Sequence, residues 1–208
     1  MNRVAALYID PRGPYPTIPG VDCWDVRRDA RSYDGPLPVV AHPPCGPWGS
    51  LNHLSHGAER DCGPRAVEQV RQFGGVLEHP ARSRLWQHCG LPLVGGDEVD
   101  DWGGYALEVE QVAWGHVARK RTWLYIVGAP IDDVVATVRT GGTPTHWVSG
   151  GRNQMRKNGR AGGGVVPHGI KVCSAQQRRR TPPAFAQWLV ELAATAKPAI
   201  SAAHEVAS

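Results

Sequence analysis

The chain has 208 residues, 41% of them apolar and eight of them tryptophan, which suits one folded domain and excludes a disordered chain. Its formal net charge of +4 is a mild excess of base, compatible with a nucleic-acid partner but too small to establish one. Five cysteines without paired spacing, no bilayer-spanning apolar run and no signal-peptide core predict a soluble cytoplasmic protein with free thiols and no membrane partner.

In chain order, β-branched and aromatic runs predict strands over 4–10, 21–25 and 37–42. The stretch "GPRAVEQVRQFGG" then reads as a helix. Pro64 suits its first turn, Val67, Val70 and Phe73 share one face, and Gly74 or Gly75 ends it. Further strands are expected over 75–79, 106–113 and 122–128, the last two pairing antiparallel at the edge of a mostly parallel α/β sheet. Residues 1–128 thus form the principal domain. Residues 129–180 are a basic, glycine-rich insert of little periodicity, and 198–208 a flexible tail. Between them, 181–197 read as a helix with Thr181 as cap and Phe185, Leu189 and Leu192 on one face.

In an open α/β sheet, ligands bind beyond the carboxyl ends of the strands. Asp10, Asp25, Cys45 and Glu78 all fall at such ends. Two prolines stiffen the backbone immediately before Cys45, as a nucleophile held at a fixed angle requires. Glu78 interrupts an apolar strand, and a buried carboxylate needs a reason.

"HPPC", "LEHP" and "QVAWGHVARKRTWLYIVG" follow one another in the order of three motifs of the DNA (cytosine-5) methyltransferases, and the chain resembles short, divergent phage-encoded members of that family. "RRRTPPAFAQWL" resembles a later segment of the family. The resemblance implies a Rossmann-like, methyltransferase-type sheet with an antiparallel edge strand. It also implies DNA as partner and host cytoplasm as location if the gene is carried by a phage. Cys45 would add to carbon 6 of a cytosine, making carbon 5 able to accept an electrophilic carbon. Glu78, protonated or sharing a proton, would hydrogen-bond ring nitrogen 3, and Arg119 or Arg121 would hold the base or its phosphate. The base would have to flip out of the duplex. Arg152, Arg156, Lys157, Arg160, Arg178, Arg179 and Arg180 are the expected DNA contacts.

The family's methyl donor, S-adenosyl-L-methionine, would lie against Asp10, Asp25, Asp29, Pro43 and Pro44. The family's glycine turn and long helix are absent, because residues 11–20 contain four prolines. A shortened cofactor half follows, completed by DNA or a partner subunit, or serving a different one-carbon donor. Two other readings stand beside the enzyme. Cys45, His53, His56 and Cys62 are soft ligands in one stretch, but their spacing fits no common zinc finger, so no metal is expected. A non-catalytic DNA-binding relative, acting as regulator or decoy, would use the same basic segment.

Overall fold

A computed structural model describes residues 3–49, 59–148, 160–161, 164–165 and 169–198. Six strands form the main sheet: β1 (Val4–Leu7), β2 (Val21–Trp24), β3 (Val39–Ala41), β4 (Gly75–Pro80), β5 (Tyr105–Glu110) and β6 (Arg121–Val127). Their spatial order is β2-β1-β3-β4-β6-β5. The first four are parallel, while β6 runs antiparallel to β4 and β5 antiparallel to β6.

The expected mostly parallel α/β sheet is therefore present, with one correction. The reversed strand is β6, one place in from the edge, and the edge strand β5 points the same way as β4. Burial explains this. The hairpin partner of β5 carries the longer apolar run, and Leu124, Tyr125, Ile126 and Val127 gain more by burial beside β4 than the half-polar β5 would.

The two faces of the sheet are covered by different parts of the chain. On one, α1 (Cys62–Phe73) buries Ala66, Val67, Val70 and Phe73 against β3, β4 and β6. It stops at Gly74, whose φ of 73° suits a residue without Cβ. At Gly75 a Cβ would sit 2.0 Å from the Val39 carbonyl oxygen, so glycine is what lets β4 lie against β3.

The other face is closed by α5 (Pro183–Thr195), which packs on β1, β3 and β4. Pro182, not Thr181, occupies the cap position, so the helix starts one residue later than expected and has no side-chain cap. Phe185 is fully buried at its centre, with ring centroids 5.2 Å from Trp114 and 5.7 Å from Trp188. Phe185→Ala should cost roughly 3–5 kcal/mol, read as a lower denaturation midpoint at unchanged slope.

Three short helices are not legible in the pattern: α2 (Arg84–His88), α3 (Ile131–Thr137) and α4 (Ala175–Arg179). Each spans seven residues or fewer, too few to show a 3.6-residue period. Through Val134, α3 joins the core beneath α5, so the start of the basic insert belongs to the main fold. Further on, β7 (His146–Trp147) pairs with β10 (Lys171–Val172), and β8 (Arg160–Ala161) with β9 (Gly164–Val165). His53, His56, Arg152, Arg156, Lys157 and the expected tail beyond Pro198 lie outside the described residues, and of Arg160 only the backbone is described.

Candidate active site

The loop after β3 is fixed at both ends. At its start, the His42 backbone N–H donates to the Leu7 carbonyl at the end of β1, and Pro43 is buried. At its far end the chain makes one 3-10 turn, Gly46–Trp48, which sinks Pro47 and Trp48 into the α1 side of the core. The Trp48 ring packs against Gly63 of α1, where a Cβ would lie 2.5 Å from its indole nitrogen. Cys45 sits between these anchors and is exposed. The prolines and the tryptophan thus hold Cys45 on a short segment fixed at both ends.

Glu78 lies on β4, one residue beyond the pair Ala41–Leu77, so it stands beside the start of the same loop. Its residue is 7% exposed, and three donors converge on its carboxylate. His42 Nδ1 is 3.0 Å from Oε2, and Gln111 Nε2 donates to Oε1 over 2.9 Å. Lys120 Nζ is 3.7 Å from Oε1, with its side chain 13% exposed. Gln111 is itself oriented by a second bond from its Nε2 to Thr122 Oγ1, and His42 by the Tyr15 hydroxyl at its Nε2. Burial alone would raise Glu78, but Lys120 and His42 outweigh it and hold the carboxyl well below the usual carboxylate range.

This charge acts on Cys45. Protein crowded round the Cys45 thiol raises its pKa above the ordinary cysteine value, and the Glu78 carboxylate raises it further. Lys120 and Arg179 oppose that shift without cancelling it. The free protein therefore holds Cys45 as a thiol, and a reaction through the thiolate requires something to neutralise Glu78 or remove the proton.

Next to Glu78, His79 is 1% exposed and neither ring nitrogen meets a hydrogen-bond partner of good geometry. Burial outweighs the pull of the Glu78 charge and pushes it down to about 4, so the ring is neutral at physiological pH.

The structure separates the two expected arginines from this cluster. Arg121 makes a two-pronged ion pair with Glu108, at 2.6 and 2.8 Å. Arg119 is 64% exposed and 3.8 Å from Glu110. Alternation accounts for it: Arg121 and Trp123 both reach Glu108, while Thr122 turns the opposite way and is fully buried. The cation at Glu78 is the residue between the two arginines, Lys120.

Tyr15, His42, Gln111 and Lys120 are thus the site residues that the motifs did not single out. Tyr15 comes from the proline-rich stretch, which forms a single 3-10 turn, Tyr15–Thr17.

The expected cofactor carboxylates are engaged by their own loops. Asp10 pairs with Arg12 and is 57% exposed, Asp25 accepts the backbone N–H groups of Arg27 and Arg28, and Asp29 pairs with Arg31. Pro43 and Pro44 serve the loop. No α-helix stands between β1 and β2, and this donor set does not fit the adenosyl group that the resemblance implies.

Beside the cluster lies the basic helix α4. Ser174 and Gln177 form a reciprocal capping box at its start. His116 Nε2, 3.0 Å from the Gln177 carbonyl, ties it to the turn between β5 and β6. Arg179 and Arg180 are exposed, and the charge of Arg179 reaches Cys45. Among the described residues no group of His, Cys, Asp and Glu could hold a metal ion, and no helix is long and apolar enough to cross a membrane.

Comparison of the chain with protein-family models, curated proteins and solved structures returns no match.

Proposed function

We propose that the protein modifies carbon 5 of a DNA pyrimidine, in the manner of the cytosine-5 methyltransferases it resembles, through a covalent adduct on Cys45. One observation carries this reading. An exposed cysteine on a rigid loop and a buried, donor-loaded carboxylate stand at the carboxyl ends of neighbouring parallel strands, where α/β sheets bind ligands.

The chemistry assigns each group a task. Cys45 Sγ adds to carbon 6, and the electron pair of the ring double bond moves toward nitrogen 3 and leaves carbon 5 nucleophilic. Glu78 contacts the edge of the ring that bears nitrogen 3. A base protonated there, held against the carboxylate, also cancels the charge that keeps the thiol protonated, so base binding and thiol activation are coupled. Once carbon 5 has taken a one-carbon group from its donor and the donor's leaving group has departed, carbon 5 gives its proton to water, the C–H pair re-forms the ring double bond, and the sulfur–carbon bond breaks with its pair returning to Sγ. S-adenosyl-L-methionine is the donor implied by the resemblance. Because Asp10, Asp25 and Asp29 are engaged by their own loops, no step is assigned to it.

Arg178, Arg179 and Arg180 supply phosphate contacts at the rim of the site. Replacing all three with Gln should weaken DNA binding and flatten its logarithmic salt slope by up to about 0.9 for each phosphate no longer neutralised. A fluorescence titration at several salt concentrations gives the slope directly, and an unchanged value would remove α4 from the interface.

A non-catalytic DNA-binding relative is the second reading, favoured by the protonated resting thiol. Mass spectrometry of nucleosides from DNA co-expressed with the protein separates the two. A carbon-5-modified pyrimidine that disappears with Cys45→Ser supports the enzyme, and unmodified DNA that still binds supports the regulator.

A further inference from the structure

His42, Cys45 and Glu78 together invite the reading of a nucleophile, its base and an orienting carboxylate, as in hydrolytic triads. The hydrogen bonds assign His42 otherwise. An ionised Glu78 can only accept, so the proton between it and His42 sits on Nδ1. On the other side of the ring the buried Tyr15 hydroxyl meets Nε2. Burial, then the charge of Glu78, raises Tyr15 far above its usual value, so the phenol keeps its proton and can donate it to Nε2. Both ring nitrogens are then committed, and neither remains for the thiol.

We infer that Tyr15 and His42 are positioning residues that fix the Glu78 carboxylate, and that His42 is not the base of Cys45. The inference rests on the reading of Glu78 as the group that meets the pyrimidine.

The local backbone makes this support rigid. Tyr15 is held between Pro14 and Pro16 in the turn after β1, and its ring centroid is 5.2 Å from that of His42. The His42 backbone is bonded to Leu7, and Glu78 is held within the ladder of β4 and β6. Hydroxyl, imidazole and carboxylate therefore link the ends of β1, β3 and β4 in one file. The stretch that lacks a cofactor-binding glycine turn instead delivers a phenol to the reaction side of the sheet. A carboxylate oriented during folding need not be ordered again when the base arrives, which is the advantage of preorganised groups.

The test uses the full chain and has arms that do not depend on DNA chemistry. In nitrogen-15 histidine NMR, wild-type His42 should show the Nδ1–H tautomer, the form that free imidazole disfavours in water, and Tyr15→Phe should weaken that preference. Alkylation of Cys45 by iodoacetamide should keep its pH profile in Tyr15→Phe and in His42→Asn, since neither removes a base. On modified DNA, Tyr15→Phe should lower kcat by about tenfold with KM little changed, as for the removal of one positioning hydrogen bond. An Nε2–H tautomer in the wild type, or an alkylation rate that collapses in His42→Asn while circular dichroism stays native, would overturn the inference. Wild-type protein that leaves DNA unmodified would refute the proposed reaction, and the NMR and alkylation arms would still decide the role of His42.

Discussion

Cys45→Ser should abolish covalent capture of DNA carrying 5-fluorocytosine, a loss of the whole signal rather than a fraction of it. Fluorine at carbon 5 cannot leave as a proton does, so the adduct formed after transfer persists and can be seen on a denaturing gel. The serine variant keeps the shape of the loop, because Pro43 and Trp48 anchor it and the side chain at 45 is exposed. What changes is nucleophilicity: a serine hydroxyl ionises far less readily than a thiol. The assay needs a donor, supplied as S-adenosyl-L-methionine or as the small-molecule fraction of a cell extract. An adduct that forms equally with serine at position 45 would remove Cys45 from the mechanism.

Glu78→Gln carries the second large effect, a fall in turnover of about a hundredfold or more, as for a positioned acid–base group. The same variant should make Cys45 easier to ionise. The carboxylate raises the thiol in the native protein, so its removal moves the alkylation midpoint to lower pH. Turnover falling while the thiol becomes more reactive is a combination that general damage to the fold does not produce. The introduced amide would keep its oxygen toward Gln111 and Lys120 and turn its N–H group to His42, which can relieve the clash by moving its proton from Nδ1 to Nε2. The His42 tautomer should therefore invert in this variant. Near-normal turnover would move Glu78 to a structural role.

The elements legible in the sequence were those with a period or a strong terminator. The six strands of the main sheet showed as β-branched and aromatic runs, and α1 showed through Val67, Val70, Phe73 and the glycine at its end. The order of strands was less accessible, because "ALEVEQVA" and "TWLYIVG" pair with each other whichever of them lies at the edge. Burial of the more apolar run settled it. Cys45 and Glu78 stood out as chemistry in apolar surroundings, and the structure brings their loop and strand together. Lys120 was hidden between two arginines, since three consecutive cations give no indication of which one faces inward. Tyr15 was hidden for a different reason. The prolines around it signal only a missing helix, and the partner of its hydroxyl lies 27 residues away.

The closure of the sheet by α5 has a consequence for how the protein is made. Val4, Ala6, Val40 and Val76 wait beneath a helix whose Phe185 and Leu189 come more than a hundred residues after the last of them. A ribosome adding roughly 5–20 residues each second leaves that apolar face uncovered for on the order of ten seconds. During that time the growing chain already carries Cys45, Glu78 and the loop that presents them, yet the sheet under them has only one of its two covers. Tyr15 and Trp114, which pack in the same layer as Phe185, have no finished core to settle into. Assembly of the thiol, the carboxylate and their supports is thus tied to the emergence of α5.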